Sequence, residues 1–531
     1  MDSLTIDLFD RGMGPLHRAG LGGLACTLTQ LNWPTSEWSL DTENRSLTLR
    51  WPGGAEGAGP FFERLYARAF GLDDGMIDLP GAYGRGGIPR WIKAELQRGM
   101  SLTILQFGPN RKTASKRPKV ETYEVDRSIV VEYQDLIDYT HRGAWRDLVT
   151  PKGTLRDFAP ISGTIAPGFV QRHVVHAATT LEQPPGHVIA LHFALVGTLS
   201  LPIGRTKGVL IVPDVRNLRD FIWHRPQLNP QEARDCQVIS PADAALQAQV
   251  RLRAAEAGWT SKVERCLAIL FSSTTWNPNQ KARVAVLEVD PESAELDIFA
   301  EVMAIKALQP RLVEAKPEKK GDPPRKFWSG GVVRALIAEN LAHHRPWFED
   351  FRKLVVGPDG RNDEQKVRQL SFEREGLRVM VEKHMDYSAE QRLVLSIHEA
   401  MARRFSAIRK ETKYDSKTGA NKSAYYNKRD RQLQEWRLEI AGAKTADDLR
   451  KALGDLWSRS IFEPEGAWFN SVLGESWREL LPLLCNETRW QLNRDLALLA
   501  LASYAPTKKE EGDAKSDTSE VSAESPSAEV A

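Results

Sequence analysis

Cysteine is scarce: 531 residues hold four, Cys26, Cys236, Cys266 and Cys485, and no two stand in a CxxC pair. That usage excludes a zinc ribbon or a disulfide framework and suits small buried hydrophobes in a reducing cytoplasm. Long apolar runs are missing as well. The longest, 188–201, is broken by His192, Gly197, Thr198 and Ser200, so no membrane span is expected. The opening MDSLTIDLFDRG carries aspartates where a signal peptide would carry basic residues, which makes the expected compartment the cytoplasm. Catalytic signatures are absent too. There is no GxxxxGK[ST], and HEAMA at 398–402 lacks the second histidine of a zinc protease helix. Neither a Ser/His/Asp nor a Cys/His arrangement has a recognisable local signature, and no paired carboxylates stand out.

Two weaker patterns are present. GLGGLA at 20–25 fits G-x-G-x-x-A, but no strand ends at its first glycine, so a close-packed helix is the better reading. In RHVVH, His173 and His176 can share a metal only if the segment is not a strand, where a spacing of three puts them on opposite faces. A metal-dependent nuclease or hydrolase built on this pair is the rival reading. A pure protein-interaction scaffold is the third, and it leaves the basic segments below unexplained. No metal, cofactor or enzymatic activity is expected.

What is present is length and uneven charge. With 41% apolar residues the chain can bury cores for two to four domains. The 72 basic and 70 acidic residues nearly cancel, but 507–531 alone holds seven acids against three lysines and no aromatic residue. Such a stretch cannot offset its ordering entropy, so 506–531 is expected to be a disordered acidic tail. The body is then modestly basic.

Turn-bounded β-rich runs recur in the first 300 residues: 46–51, 102–107, 128–133, 188–201, 208–212 and 283–289. Helices intervene, the clearest over 241–257 with Ser240 as its cap. This mixture predicts an α+β body over 1–308. Four prolines in QPRLVEAKPEKKGDPPRK make 309–329 a linker or exposed loop. Helical periodicity then dominates: 388–408 with Val394, Ile397, Met401, Phe405 and Ile408 on one face, 445–457, 476–484 and 487–502. Residues 330–505 are therefore expected to form a helical bundle.

Two basic segments lack matching acids. GPNRKTASKRPK at 108–119 has Arg111, Lys112, Lys116, Arg117 and Lys119 with none. As a projecting loop after a strand it suits duplex DNA: the cations for phosphate, and Gln106, Asn110 and Arg111 for base edges. The second segment, 403–431, holds ten basic residues and three acids: Arg403, Arg404, Lys410, Lys413, Lys417, Lys422, Lys428 and Arg429 are interleaved with Tyr414, Tyr425 and Tyr426. Positive charge plus aromatic faces suits a displaced single strand.

Leu4–Phe9 followed by GPLHRAGLGGLA (14–25), then SLTILQFGPNRK (101–112), ISGTIAPGFVQRH (161–173) and VLIVPDVRNLRDF (209–221), resembles the CRISPR large subunits of the Cas-eight family, MYXAN subtype, fruiting-body developmental protein T type. The blocks cover the first 300 residues; the helical end is similar in character only. The resemblance implies a non-catalytic subunit of a crRNA-guided type I surveillance (Cascade) complex. Its partners would be crRNA, target double-stranded DNA, the backbone and handle-binding subunits, a small subunit, and a downstream helicase–nuclease or transposition adaptor. It would recognise the PAM, contact the crRNA 5′ handle and support the R-loop, leaving sequence to RNA pairing. By analogy with relatives that make their small subunit from an internal start, Met380 or Met385 would begin a short helical product.

Overall fold

The computed structural model describes residues 2–106, 108–161, 181–255, 265–272, 283–315, 325–357, 363–385, 388–416, 418–460 and 471–505. His173, His176, Lys417, Phe107 and the 506–531 tail lie outside them. Two compact units are present: Met1–Ala304 with Gln309–Arg345, and Ile305–Leu308 with Pro346–Ala531. The first mixes small antiparallel sheets with helices, and the second is helical among its described residues, so the architecture is α+β.

In the first unit, Asp2–Asp7, Ser46–Trp51 and Trp38–Leu40 form a three-stranded antiparallel sheet. A four-stranded meander follows: Leu199–Ile203, Lys207–Pro213, Cys266–Ser272 and Arg283–Val289, each antiparallel to the next. The helix Pro241–Ala255, begun by Ser240 Oγ accepting from the Asp243 amide at 3.1 Å, packs on this sheet.

The sequence 20–25 lies inside the helix Pro15–Gln30, which packs against the helix Pro185–Gly197. Backbones touch there. A Cβ on Gly20 would sit 1.7 Å from the Ala190 carbonyl oxygen, and one on Gly197 1.8 Å from that of Ala19. The glycines serve close approach between helices, and no cofactor loop is involved.

Two strand expectations are corrected. Residues 188–201 are mostly the helix Pro185–Gly197, and only Leu199–Ile203 is strand. Every residue of that helix is buried. A helix covered on all sides shows no 3.6-residue alternation, so its pattern is that of a buried strand. Residues 102–106 are the end and exit turn of the helix Arg90–Leu102, where Ile92, Leu96 and Met100 set a helical stripe that outweighs the local β-branched run.

The stretch 309–329 is described at its two ends, outside 316–324. Arg311–Ala315 pairs antiparallel with Arg325–Ser329, and the Lys326 amide donates to Ser128 O at 2.9 Å. Beyond it, the helix Val332–Leu341 belongs to the first unit. Its Arg334 Nε lies 2.7 Å from Asp243 Oδ1, both side chains almost wholly buried, and its Nη1 donates to Gln309 Oε1 at 2.8 Å. Removing one partner of such a buried pair costs about 3–5 kcal/mol.

The second unit contains the helices Glu364–His384, Ala389–Glu411, Lys422–Gly442, Ala446–Ser458, Val472–Leu484 and Trp490–Ser503. Ser388, Thr445 and Ser471 cap three of them through their hydroxyls. Met380 and Met385 are both buried. Among the described residues no helix is long and apolar enough to cross a membrane.

The glycine contact generates a stability prediction. Gly20→Ala drives a methyl into a backbone carbonyl that cannot swing away, so the cost lies at or above the usual overpacking range of about 1–3 kcal/mol. Gly86→Ala, which meets nothing within 4 Å, should stay within about 0.5 kcal/mol of the parent. Urea unfolding followed by circular dichroism separates the two; equal midpoints for both variants would contradict the packing account.

Candidate nucleic-acid interface

The first basic segment folds as two short strands that pair with different partners. Arg111–Thr113 lies antiparallel to Leu136–Tyr139, and Lys119–Thr122 to Val130–Tyr133. The residues between them form an exposed connection. This arrangement divides the candidate side chains by direction.

Arg111 turns inward. Its Nη1 donates to Ser101 O at 2.5 Å and Leu105 O at 2.8 Å, and burial lowers its pKa below the usual guanidinium value. Asn110 is 4% exposed. Neither points out for a base edge, so the strand end is tied to the turn after Arg90–Leu102. Gln106 is half-buried at that turn. Lys119 is exposed but neutralised by Asp135 at 3.3 Å and Asp74 at 3.9 Å, and Asp135 raises its pKa. Lys112, Lys116 and Arg117 are exposed and have no ion-pair partner among the described residues. These three remain as outward charge.

The second segment is a helical hairpin, and much of its charge is matched. Arg403 Nη2 is 2.5 Å from Glu399 Oε1, while Glu411 bridges Arg404 at 3.1 Å and Lys428. Arg429 pairs with Asp430 at 2.8 Å. Glu399 sits just upstream of the window in which charges look unbalanced, and Glu411 joins two helices, a pairing that i,i+4 counting misses.

The tyrosines pack on one another. Tyr414 and Tyr425 stack with centroids 4.8 Å apart and planes 12° apart, and Tyr426 meets Tyr425 edge-on at 5.2 Å. Arg409 lies over Tyr414 at 5.4 Å and Arg429 over Tyr426 at 4.5 Å. Tyr425 is buried, so the cluster closes the hairpin and its faces are largely taken. Lys410 and Lys413 are exposed with no ion-pair partner among the described residues, and Lys422 is half-buried.

Sequence reasoning missed a cleft of about 860 Å³ in the first unit. Arg90–Leu102 contributes Glu95, Arg98 and Ser101, the Leu199–Lys207 turn contributes Arg205, and Arg325–Ser329 contributes Lys326 and Trp328. Its residues come from segments far apart in the chain, so no window concentrates them; the run RKFW at 325–328 was the one local signal. Arg98 donates to Gly204 O, and its Nη1 lies 3.6 Å from Glu95 Oε2. Glu95 is almost fully buried. Its Oε1 accepts from Tyr123 Oη at 3.2 Å and Gln237 Nε2 at 3.0 Å, and desolvation outweighs these partners and raises its pKa.

Two family models match the chain: the DevT N-terminal domain over residues 5–192 and the DevT C-terminal domain over 382–529. CRISPR-associated protein Cas8a1/Csx13 of Myxococcus xanthus (strain DK1622) is 34% identical over 530 residues, 94% of this chain and 88% of that protein. The chain belongs to the Cas8a1/Csx13 (DevT) family. The outward cations Lys112, Lys116 and Arg117 lie within the matched DevT N-terminal domain, and the 403–431 hairpin within the C-terminal one. Among the described residues no group of three or more His, Cys, Asp or Glu side chains is placed to hold a metal ion.

Glu95 gives a pH prediction. Its folded pKa is raised, so its stability contribution is present below the unfolded carboxyl value near 4.5 and is lost as pH rises through the folded value. Glu95→Gln keeps an acceptor for Tyr123 and Gln237 without the charge. The variant should match the parent near pH 4 and gain on it steadily as pH rises. Chemical unfolding across pH 4 to 8 measures the gap, and a gap that closes with rising pH contradicts the burial account.

Proposed function

We propose that this chain is the large subunit of a crRNA-guided type I CRISPR surveillance (Cascade) complex, acting in the cytoplasm without catalysis of its own. Kinship with Cas8a1/Csx13 across nearly the whole chain is the observation that carries the reading. On this reading the chain engages the PAM in target duplex DNA, contacts the crRNA 5′ handle and stabilises the R-loop. Its partners are the backbone and handle-binding subunits, a small subunit, and a downstream helicase–nuclease or transposition adaptor. Guide pairing carries the sequence, so the protein needs backbone contacts and a short motif reader.

The distribution of outward charge supports this division. Lys112, on the strand Arg111–Thr113, and Lys116 and Arg117, on the connection after it, are exposed and suit duplex phosphates. Lys410 and Lys413, at the end of the helical hairpin, suit a displaced strand as charge, with the tyrosine cluster shaping the hairpin. Gln106 remains the side chain of the first segment available to a base edge. A product from Met380 or Met385 would keep the helices from Ala389 on, close to the span of the DevT C-terminal domain.

Replacing Lys112, Lys116 and Arg117 together by alanine tests the duplex reading. Removing one phosphate neighbour should reduce the slope of log K against log salt by about 0.9, so removing all three should reduce it by up to about 2.7. Binding of the assembled complex to a target duplex is measured across a salt series. An unchanged slope and affinity would remove these residues from the interface.

A further inference from the structure

We propose that the first-unit cleft is a binding site for one unpaired nucleotide, its base held against Trp328 and its phosphate by the cations at the rim. The inference rests on the nucleic-acid reading above and deepens it.

The cleft is built for a polar, planar guest. Its volume of about 860 Å³ falls in the range of small-molecule sites and exceeds what a single nucleotide needs. Aromatic surface comes from Trp328 of the strand Arg325–Ser329, which packs against a core of Met76, Tyr123, Val131 and Tyr133 and is thereby fixed in place; its neighbour Phe327, 49% exposed, points to the other face of the strand. Base–aromatic stacking tolerates any base, because each has a π-face.

The polar lining is incomplete without an occupant. Glu95 Oε2 is buried with no hydrogen-bond partner within 3.5 Å, and Arg98 Nη1 forms an ion pair with it at 3.6 Å. Ser101 Oγ, one helical turn and a half further along, is likewise buried without a partner. A buried polar atom left unmet is costly. A buried carboxylate acceptor suits a base that carries an exocyclic amino group. A carboxylate accepting from such a group is a known mode of base reading.

The rim supplies phosphate contacts. Arg205 is exposed with no ion-pair partner among the described residues, and Arg325 is held only loosely by Glu132 at 3.9 Å. Pro118 lines the same cleft, so the connection bearing Lys116 and Arg117 runs past its edge. A strand following those two cations is therefore led to the opening. An unpaired nucleotide of either RNA or DNA has the chemistry required.

The test uses the purified full-length chain and two probes, an octamer RNA carrying 4-thiouridine and an octamer DNA carrying 4-thiothymidine. Photocrosslinked peptides are mapped by mass spectrometry, and affinity is read by fluorescence anisotropy with cytosine or uracil (thymine in DNA) at the central position. Crosslinks to Trp328 are expected, with the RNA or DNA arm naming the source. Trp328→Ala should weaken binding about tenfold, with partial recovery in Trp328→Phe. Cytosine should be preferred, and Glu95→Gln should shrink that preference. Crosslinks confined to Lys112–Arg117, with Trp328→Ala unchanged, would overturn the cleft while leaving the charged connection intact. Absence of any strand binding, with a flat salt response, would overturn both.

Discussion

The Ala190 carbonyl oxygen occupies the place where a side chain on residue 20 would begin, and much of the first unit is positioned from that contact. The helix Pro185–Gly197 is locked against Pro15–Gln30 and runs straight into the strand Leu199–Ile203. At the junction the buried Arg225 guanidinium donates to Val196 O at 2.5 Å and Thr198 O at 2.9 Å, satisfying carbonyls that the helix end leaves open. The strand then carries the next helix. A Cβ on Gly99 would lie 2.4 Å from Ser200 O, and Thr103 Oγ1 donates to Ser200 Oγ at 2.9 Å. Arg90–Leu102 thus has one position available, and with it Glu95, Arg98 and Ser101. Arg111, bonded to Ser101 O, inherits that position for the basic strand.

This chain of contacts explains why a basic sequence segment yields two kinds of cation. Those that reach back to carbonyls or carboxylates, Arg111 and Lys119, hold the connection in place. Those that find no such partner among the described residues, Lys112, Lys116 and Arg117, face out. The helical hairpin sorts its residues in the same way: Glu411 and the stacked tyrosines consume side chains that looked available, and Lys410 and Lys413 remain. In both places geometry reduces a broad basic segment to a few outward charges.

Local signals were legible where one residue decides the matter. Ser240 announced its helix, and the turn-bounded β-rich run 46–51 announced a strand that the structure reproduces residue for residue. The family was legible from the opening block, whose glycines the helix packing requires. Burial on all sides concealed the helix 185–197, and a nonlocal ion pair, Arg334–Asp243, drew the residues after the proline-rich stretch into the first unit. The cleft was the least legible feature. It assembles short runs from distant segments, none of which stands out alone in a linear reading.

The central claim is that this chain works inside an RNA-guided complex, and the material that purifies with it tests that most directly. The tagged full-length chain, expressed with its neighbouring genes and a repeat array, should bring down near-stoichiometric RNA whose 5′ end carries a constant repeat-derived handle. Sequencing the bound RNA reads this outcome. A chain recovered with no RNA, or with RNA lacking any repeat-derived sequence, would contradict the account.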